Sequence, residues 1–142
     1  MTHFTVAATD PRVQHVTTSG VLTYSFPFAA IDAEDISVYL GTELVDAGEY
    51  AVSGLRQSTG GAVTFANPVE PGKTLTIVRT RPVKRMTDFL DGGEFRADTV
   101  NDALDSLIMI AQELKEADGR AIHVGIVSPP FDATLPSPLT PR

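Results

Sequence analysis

Val21-Leu22-Thr23-Tyr24-Ser25-Phe26-Pro27-Phe28 is the stretch on which the fold turns. Leu22, Tyr24, Phe26 and Phe28 occupy alternate positions, so an extended chain places all four on one face. That is the pattern of a half-buried strand. Pro27 has no amide hydrogen to give a neighbour, which predicts that the strand lies at an edge or ends near Phe26.

The same alternation recurs on both sides of this stretch. Ile36-Ser37-Val38-Tyr39-Leu40 is followed by Gly41-Thr42 and Glu43-Leu44-Val45, a hairpin signal. Tyr50-Ala51-Val52, Ala62-Val63-Thr64-Phe65 and Thr74-Leu75-Thr76-Ile77-Val78-Arg79 continue it, separated by Ser58-Thr59-Gly60-Gly61 and Pro68-Val69-Glu70-Pro71-Gly72. Phe4-Thr5-Val6 and Val13-Gln14-His15-Val16 read as further strands, interrupted by Asp10-Pro11. Short strands at this turn spacing predict a mainly β chain whose residues 1–96 form a small antiparallel sandwich. With seven Phe, three Tyr and no Trp, its core has to be built mostly of Val, Leu, Ile and Phe.

The pattern changes after Arg96. Val100, Leu104, Leu107, Ala111 and Leu114 recur at spacings of four, three, four and three, which predicts a helix over 97–118 with a heptad seam. Asp98 or Thr99 is the expected amino-terminal cap and Gly119 the carboxyl-terminal one. Ala103, Ile110 and Ala117 add a second apolar line, widened by Ile108 and Met109. A helix apolar on more than one side needs two partners. The β domain is expected to cover one stripe and other copies of the helix the seam.

Residues 119–142 read as an extended tail. Residues 121–127 carry enough β-branched side chains for one more strand, and five of the ten prolines then follow, at Pro129, Pro130, Pro136, Pro138 and Pro141. They favour an extended chain with few internal hydrogen bonds. Pro129, Pro130, Phe131, Leu135 and Leu139 are its candidate docking residues.

Chemistry leaves little trace. The absence of cysteine removes disulfides, thiolate metal sites and thiol nucleophiles. Gly60-Gly61 lacks the Lys and Ser or Thr of a phosphate loop, and no nucleophile elbow or zinc helix is present. His3, His15 and His123 stand apart, without ligand spacing. Glu34-Asp35, Asp88-Asp91 and Asp102-Asp105 are possible acid and base pairs, but Asp102 and Asp105 also suit the first turns of a helix electrostatically. No catalytic, cofactor-binding or metal residue is assigned, and no cofactor is expected.

A net charge of −7 opposes binding to nucleic acid, and no apolar run has the length of a membrane span. One local feature runs against the acidity. Arg79-Thr80-Arg81-Pro82-Val83-Lys84-Arg85 gathers four of the eleven basic residues. It reads either as a solvated strand end or as a patch in which Arg79, Arg81, Lys84 and Arg85 dock an acidic partner.

Asp88-Phe89-Leu90-Asp91-Gly92-Gly93-Glu94-Phe95-Arg96-Ala97 resembles the amino-terminal attachment domain of tail fibres from short-tailed phages of the T-seven type. There an aspartate-phenylalanine pair, an aspartate-glycine turn and an arginine-alanine pair precede a helix that begins near an Asn; here these are Asp88-Phe89, Asp91-Gly92, Arg96-Ala97 and Asn101. Phe26-Pro27-Phe28, Ile36 to Leu40, Glu49-Tyr50, Val63 to Phe65 and the strand through Leu75 to Thr80 resemble the family's strands in order. The likeness covers about residues 20–116. The physics of Asp88, Phe89, Asp91, Gly92 and Arg96 is that of a strand-to-helix corner, with glycines free to take positive φ.

The resemblance implies a β domain that trimerises and anchors a fibre to the tail, its helix leading into the stalk. The fibres of that family are far longer than 142 residues, so the expectation is a non-enzymatic adaptor subunit. Its partners would be itself as a homotrimer, tail adaptor or nozzle proteins, and a separate fibre or tailspike. It would be assembled in the host cytoplasm and carried in the virion tail. The alternative is a carbohydrate-binding β module, which would need an exposed aromatic platform, whereas Tyr24, Tyr39 and Tyr50 alternate with core positions and there is no Trp.

Overall fold

The computed structural model describes residues 3–84 and 93–121. Seven strands form two antiparallel sheets: β1 (Arg12–Val16), β2 (Thr23–Phe26), β3 (Ile36–Leu40), β4 (Glu43–Leu44), β5 (Tyr50–Ser53), β6 (Gly61–Phe65) and β7 (Thr74–Arg79). One sheet has the order β1-β7-β3-β4 and the other β2-β6-β5. A long helix, α1 (Ala97–Gly119), follows. The mainly β sandwich with a carboxyl-terminal helix is the fold expected from the alternation.

The register explains the core. In β2, Tyr24 and Phe26 are buried while Thr23 and Ser25 are exposed, and the strand ends at Phe26, before Pro27. Facing sheets close over Tyr24, Phe26, Phe28, Ile36, Val38, Val63, Phe65, Leu75 and Ile77. Phe26 and Phe28 stack at 4.9 Å, and Phe65 meets Tyr24 and Tyr50 edge-on at 6.1 Å in each case. Phe4-Thr5-Val6 is not a strand; Phe4 and Val6 pack instead on a second, smaller cluster of Ala29, Ile31 and Met109. That cluster is the apolar contact between helix and sandwich.

One side of the sandwich is closed and the other open. On the closed side the edges β1 and β2 approach, and His15 Nε2 donates to the Ser25 carbonyl at 2.6 Å. On the open side β4 and β5 each end their sheet. Between them lies a groove of about 700 Å³, across whose floor the Tyr50 hydroxyl donates to the Ile36 carbonyl at 3.1 Å.

Gly60 is a packing device rather than a ligand loop. Its φ is +88°, and a methyl group there would collide with the Phe26 carbonyl and the Pro27 backbone, so the turn between β5 and β6 can lie against the end of β2. Gly72 has a similar φ of +81° but open space around it. Gly60→Ala is expected to cost about 2–4 kcal/mol in urea unfolding. Gly72→Ala should cost only the left-handed penalty of about 1–2 kcal/mol.

Candidate functional site

The helix is held to the sandwich by its polar side. Arg79 ends β7 with its side chain 1% exposed, and a buried guanidinium needs a partner for each forked donor. Nε donates to Glu113 Oε1 at 2.9 Å, Nη1 to the Ala29 carbonyl at 2.6 Å, and Nη2 to the Met109 carbonyl at 3.1 Å and Gln112 Oε1 at 2.9 Å. The guanidinium also lies 5.9 Å from the Phe28 ring centre. Burial lowers its pKa, and the Glu113 carboxylate opposes that shift.

Arg81 repeats the arrangement one step on. Its backbone amide donates to Glu113 Oε2 at 2.8 Å, Nε to the Ser106 hydroxyl at 3.2 Å, and Nη1 to Asp35, with Asp32 3.5 Å away. Burial raises the pKa of Asp35 against the pull of Arg81. Outside this centre, Arg56 reaches Asp102 at 3.2 Å, His3 donates to Asp105 at 2.6 Å, and Arg12 stands 3.9 Å from Glu116. Arg56 holds its position in the left-handed region, φ 58°, with its amide bonded to the Ala30 carbonyl at 2.7 Å.

Ala103 and Ile110 are half-buried on the flank, and the residues that face the sandwich are Asp102, Asp105, Ser106, Met109, Gln112, Glu113 and Glu116, of which Met109 alone is apolar. At 100° per residue they centre on one line of the helix, and the seam centres about 180° away. Leu104 is 54% exposed, Leu107 63% and Leu114 64%; Ile108 and Ala111 are exposed beside them, and Val100 is half-buried. The helix therefore buries charge and presents hydrocarbon.

Two expectations are corrected by this geometry. Arg79 and Arg81 are not part of an exposed docking patch: both guanidinium groups are consumed within the chain, fixing the helix. Lys84 is exposed, while Arg85 lies outside the described residues. Of the second apolar line, Met109 is buried and Ala103 and Ile110 are half-buried while Ile108 and Ala117 are exposed, and the face covered by the sandwich is mostly polar because the buried arginines call for carboxylates opposite them.

The helix cap differs as well. Arg96 occupies the amino-terminal cap without a side-chain bond, and Asp98 sits in the first turn, where its carboxylate accepts from the Thr99 amide at 3.0 Å. Arg96 lies 3.6 Å from Asp98, both well exposed. Asp88, Phe89, Asp91 and Gly92 fall outside the described residues, as do Pro129, Pro130, Phe131, Leu135 and Leu139. Asp102 and Asp105, read as helix-dipole residues, meet the Arg56 guanidinium and the His3 ring instead. Their signal is a recurrence at three, eight and three residues, through Glu113 and Glu116, on the side opposite the leucines.

Tyr24 is buried and Tyr39 and Tyr50 are half-buried, so the three tyrosines make no exposed platform. Among the described residues no group of three or more His, Asp or Glu is arranged to hold a metal ion, and no helix is long and apolar enough to cross a membrane.

No protein-family model matches the chain. Over 74 residues, 52% of its length, it is 34% identical to the tail spike protein of Salmonella phage epsilon15. The likeness is to a phage tail protein. It spans 7% of that protein's length and supports a structural role in a phage tail.

Arg79→Met should cost about 3–5 kcal/mol in urea unfolding and raise amide exchange along α1, since it strands Glu113 and two carbonyls. Arg79→Lys should rescue little, because one ammonium cannot match the forked set. Wild-type exchange rates in α1 of Arg79→Met would show that the latch does not hold the helix.

Proposed function

We propose that the protein is a trimeric, non-enzymatic attachment subunit of a phage tail, joining the tail to a fibre or tailspike. The observation that carries this reading is the opposition of the two helix faces. A helix held by its charged side and apolar on the other leaves about 25 cal/mol per Å² of apolar surface to be gained by association. Copies of the same helix are the matching surface.

The heptad supports more than two copies. With Leu104 and Ala111 at a and Val100, Leu107 and Leu114 at d, the flanking g positions are Ala103, Ile110 and Ala117, and the e positions are Asn101, Ile108 and Lys115. Two-stranded coils usually carry charges at e and g. An apolar surface this broad suits a bundle in which each helix touches two others.

The residues on the sandwich, Asp102, Asp105, Ser106, Met109, Gln112, Glu113 and Glu116, then take the outer b, c and f positions. Three β heads fit around a central bundle without competing for the seam. The likeness to a tail spike protein and the resemblance to fibre attachment domains agree with this arrangement, in which the heads meet the tail and the helices lead towards the fibre.

The purified chain should scatter light as three chain masses. Leu107→Asp should give one mass while keeping the β circular dichroism. A monomeric wild type, or loss of the β signal in Leu107→Asp, would count against the trimer reading.

A further inference from the structure

We propose that residues 131–139 of this chain add to β5 as an outer antiparallel strand, seating Phe131, Leu135 and Leu139 in the groove between β5 and β4. The inference is independent of the trimer, and it assigns the segment a place on the β domain instead of on a separate fibre protein.

The groove asks for a strand. It is lined by Ile36, Leu44, Val45, Tyr50 and Val52 among others, and Leu44 is 64% exposed at its rim. β5 ends its sheet. The Ala66 amide donates to the Glu49 carbonyl at 3.0 Å, so the backbone groups of Glu49, Ala51 and Ser53 turn towards β6. By the alternation of an antiparallel ladder, those of Tyr50 and Val52 turn outward, where no strand of the described residues meets them. The side chains of Tyr50 and Val52 point inward between the sheets, half-buried, while Ala51 and Ser53 are exposed.

The segment supplies what that edge lacks. Along Phe131-Asp132-Ala133-Thr134-Leu135-Pro136-Ser137-Pro138-Leu139 the odd positions are Phe, Ala, Leu, Ser and Leu, and the even ones are Asp, Thr, Pro and Pro. An extended chain turns odd residues to one face and one edge, and even residues to the others. Both prolines are even, so the edge formed by odd residues keeps every amide hydrogen.

In a hydrogen-bonded antiparallel pair, opposed side chains lie on the same face. Pairing the odd residues with Tyr50 and Val52 therefore sends the apolar side chains into the groove and the prolines outward. The outward prolines would also end the sheet, leaving an edge that cannot template another strand. Phe131 lies ten positions beyond Ala121, a reach of about 33 Å when extended. That spans a domain of this size, whose radius of gyration is about 13 Å.

The chain has no cysteine, so introduced pairs can be read without background. In the full-length protein, Val52→Cys is combined in turn with Ala133→Cys, Leu135→Cys, Ser137→Cys and Thr134→Cys, and free thiols are counted by mass after mild oxidation. At least one odd-position pair should lose both thiols, and the Thr134→Cys pair should keep them, because only residues facing the same side come within disulfide reach. Leu135→Asp, with the native edge, should raise amide exchange at Tyr50 and Val52 at least tenfold and leave β7 unchanged. Oxidation of odd and even pairs alike, retention of thiols in all four, or unchanged exchange at Tyr50 and Val52 in Leu135→Asp would overturn the proposal.

Discussion

A guanidinium group with almost no exposed surface sits at the junction of sheet, loop and helix, and the rest of the molecule is arranged to satisfy it. Arg79 leaves the end of β7, and its donors reach the Ala29 carbonyl, the Met109 carbonyl, Gln112 and Glu113. An uncompensated charge there would cost several kcal/mol, so the helix has to turn carboxylate and amide groups towards the sandwich. Glu113 serves twice, accepting from the Arg79 side chain and the Arg81 amide. One glutamate thereby sets both the position and the rotation of α1.

The rotation decides what is left outside. In an ordinary amphipathic helix the apolar face turns inward, and the solvent face carries the charges. Here the inner face carries Asp102, Asp105, Glu113 and Glu116, and the outer one carries Leu104, Leu107, Ile108 and Leu114. The apolar face of the helix is therefore left unburied in the single chain and available to assembly. A structural tail role, supported by the likeness to a tail spike protein over 74 residues, accords with a head whose exposed helix surface is apolar.

The strands were legible because period-two alternation survives wherever one face is buried: Tyr24 with Phe26, Val38 with Ile36, and Leu75 with Ile77 all lie where the pattern places them. The helix was legible at its own period, since α1 runs from Ala97 to Gly119 over the stretch whose apolar residues recur at four and three. Pairing across long separations was not. Arg79 lies 34 residues from Glu113 and Arg81 46 residues from Asp35, and local charge density reads such arginines as a solvated cluster. The turn glycines were legible as turns, but the contact that makes Gly60 necessary comes from Phe26, far away in sequence.

In the proposed assembly the apolar face of α1 gathers copies while the β heads stay outside. It is tested most directly by magnetic coupling between single nitroxide labels in the assembled protein, one set at Lys115→Cys on the flank of the seam and one at Glu70→Cys on the head. Helices packed about 8–10 Å apart predict strong coupling at position 115 and weak coupling at position 70. Coupling at position 70 alone, or at neither position, would contradict it.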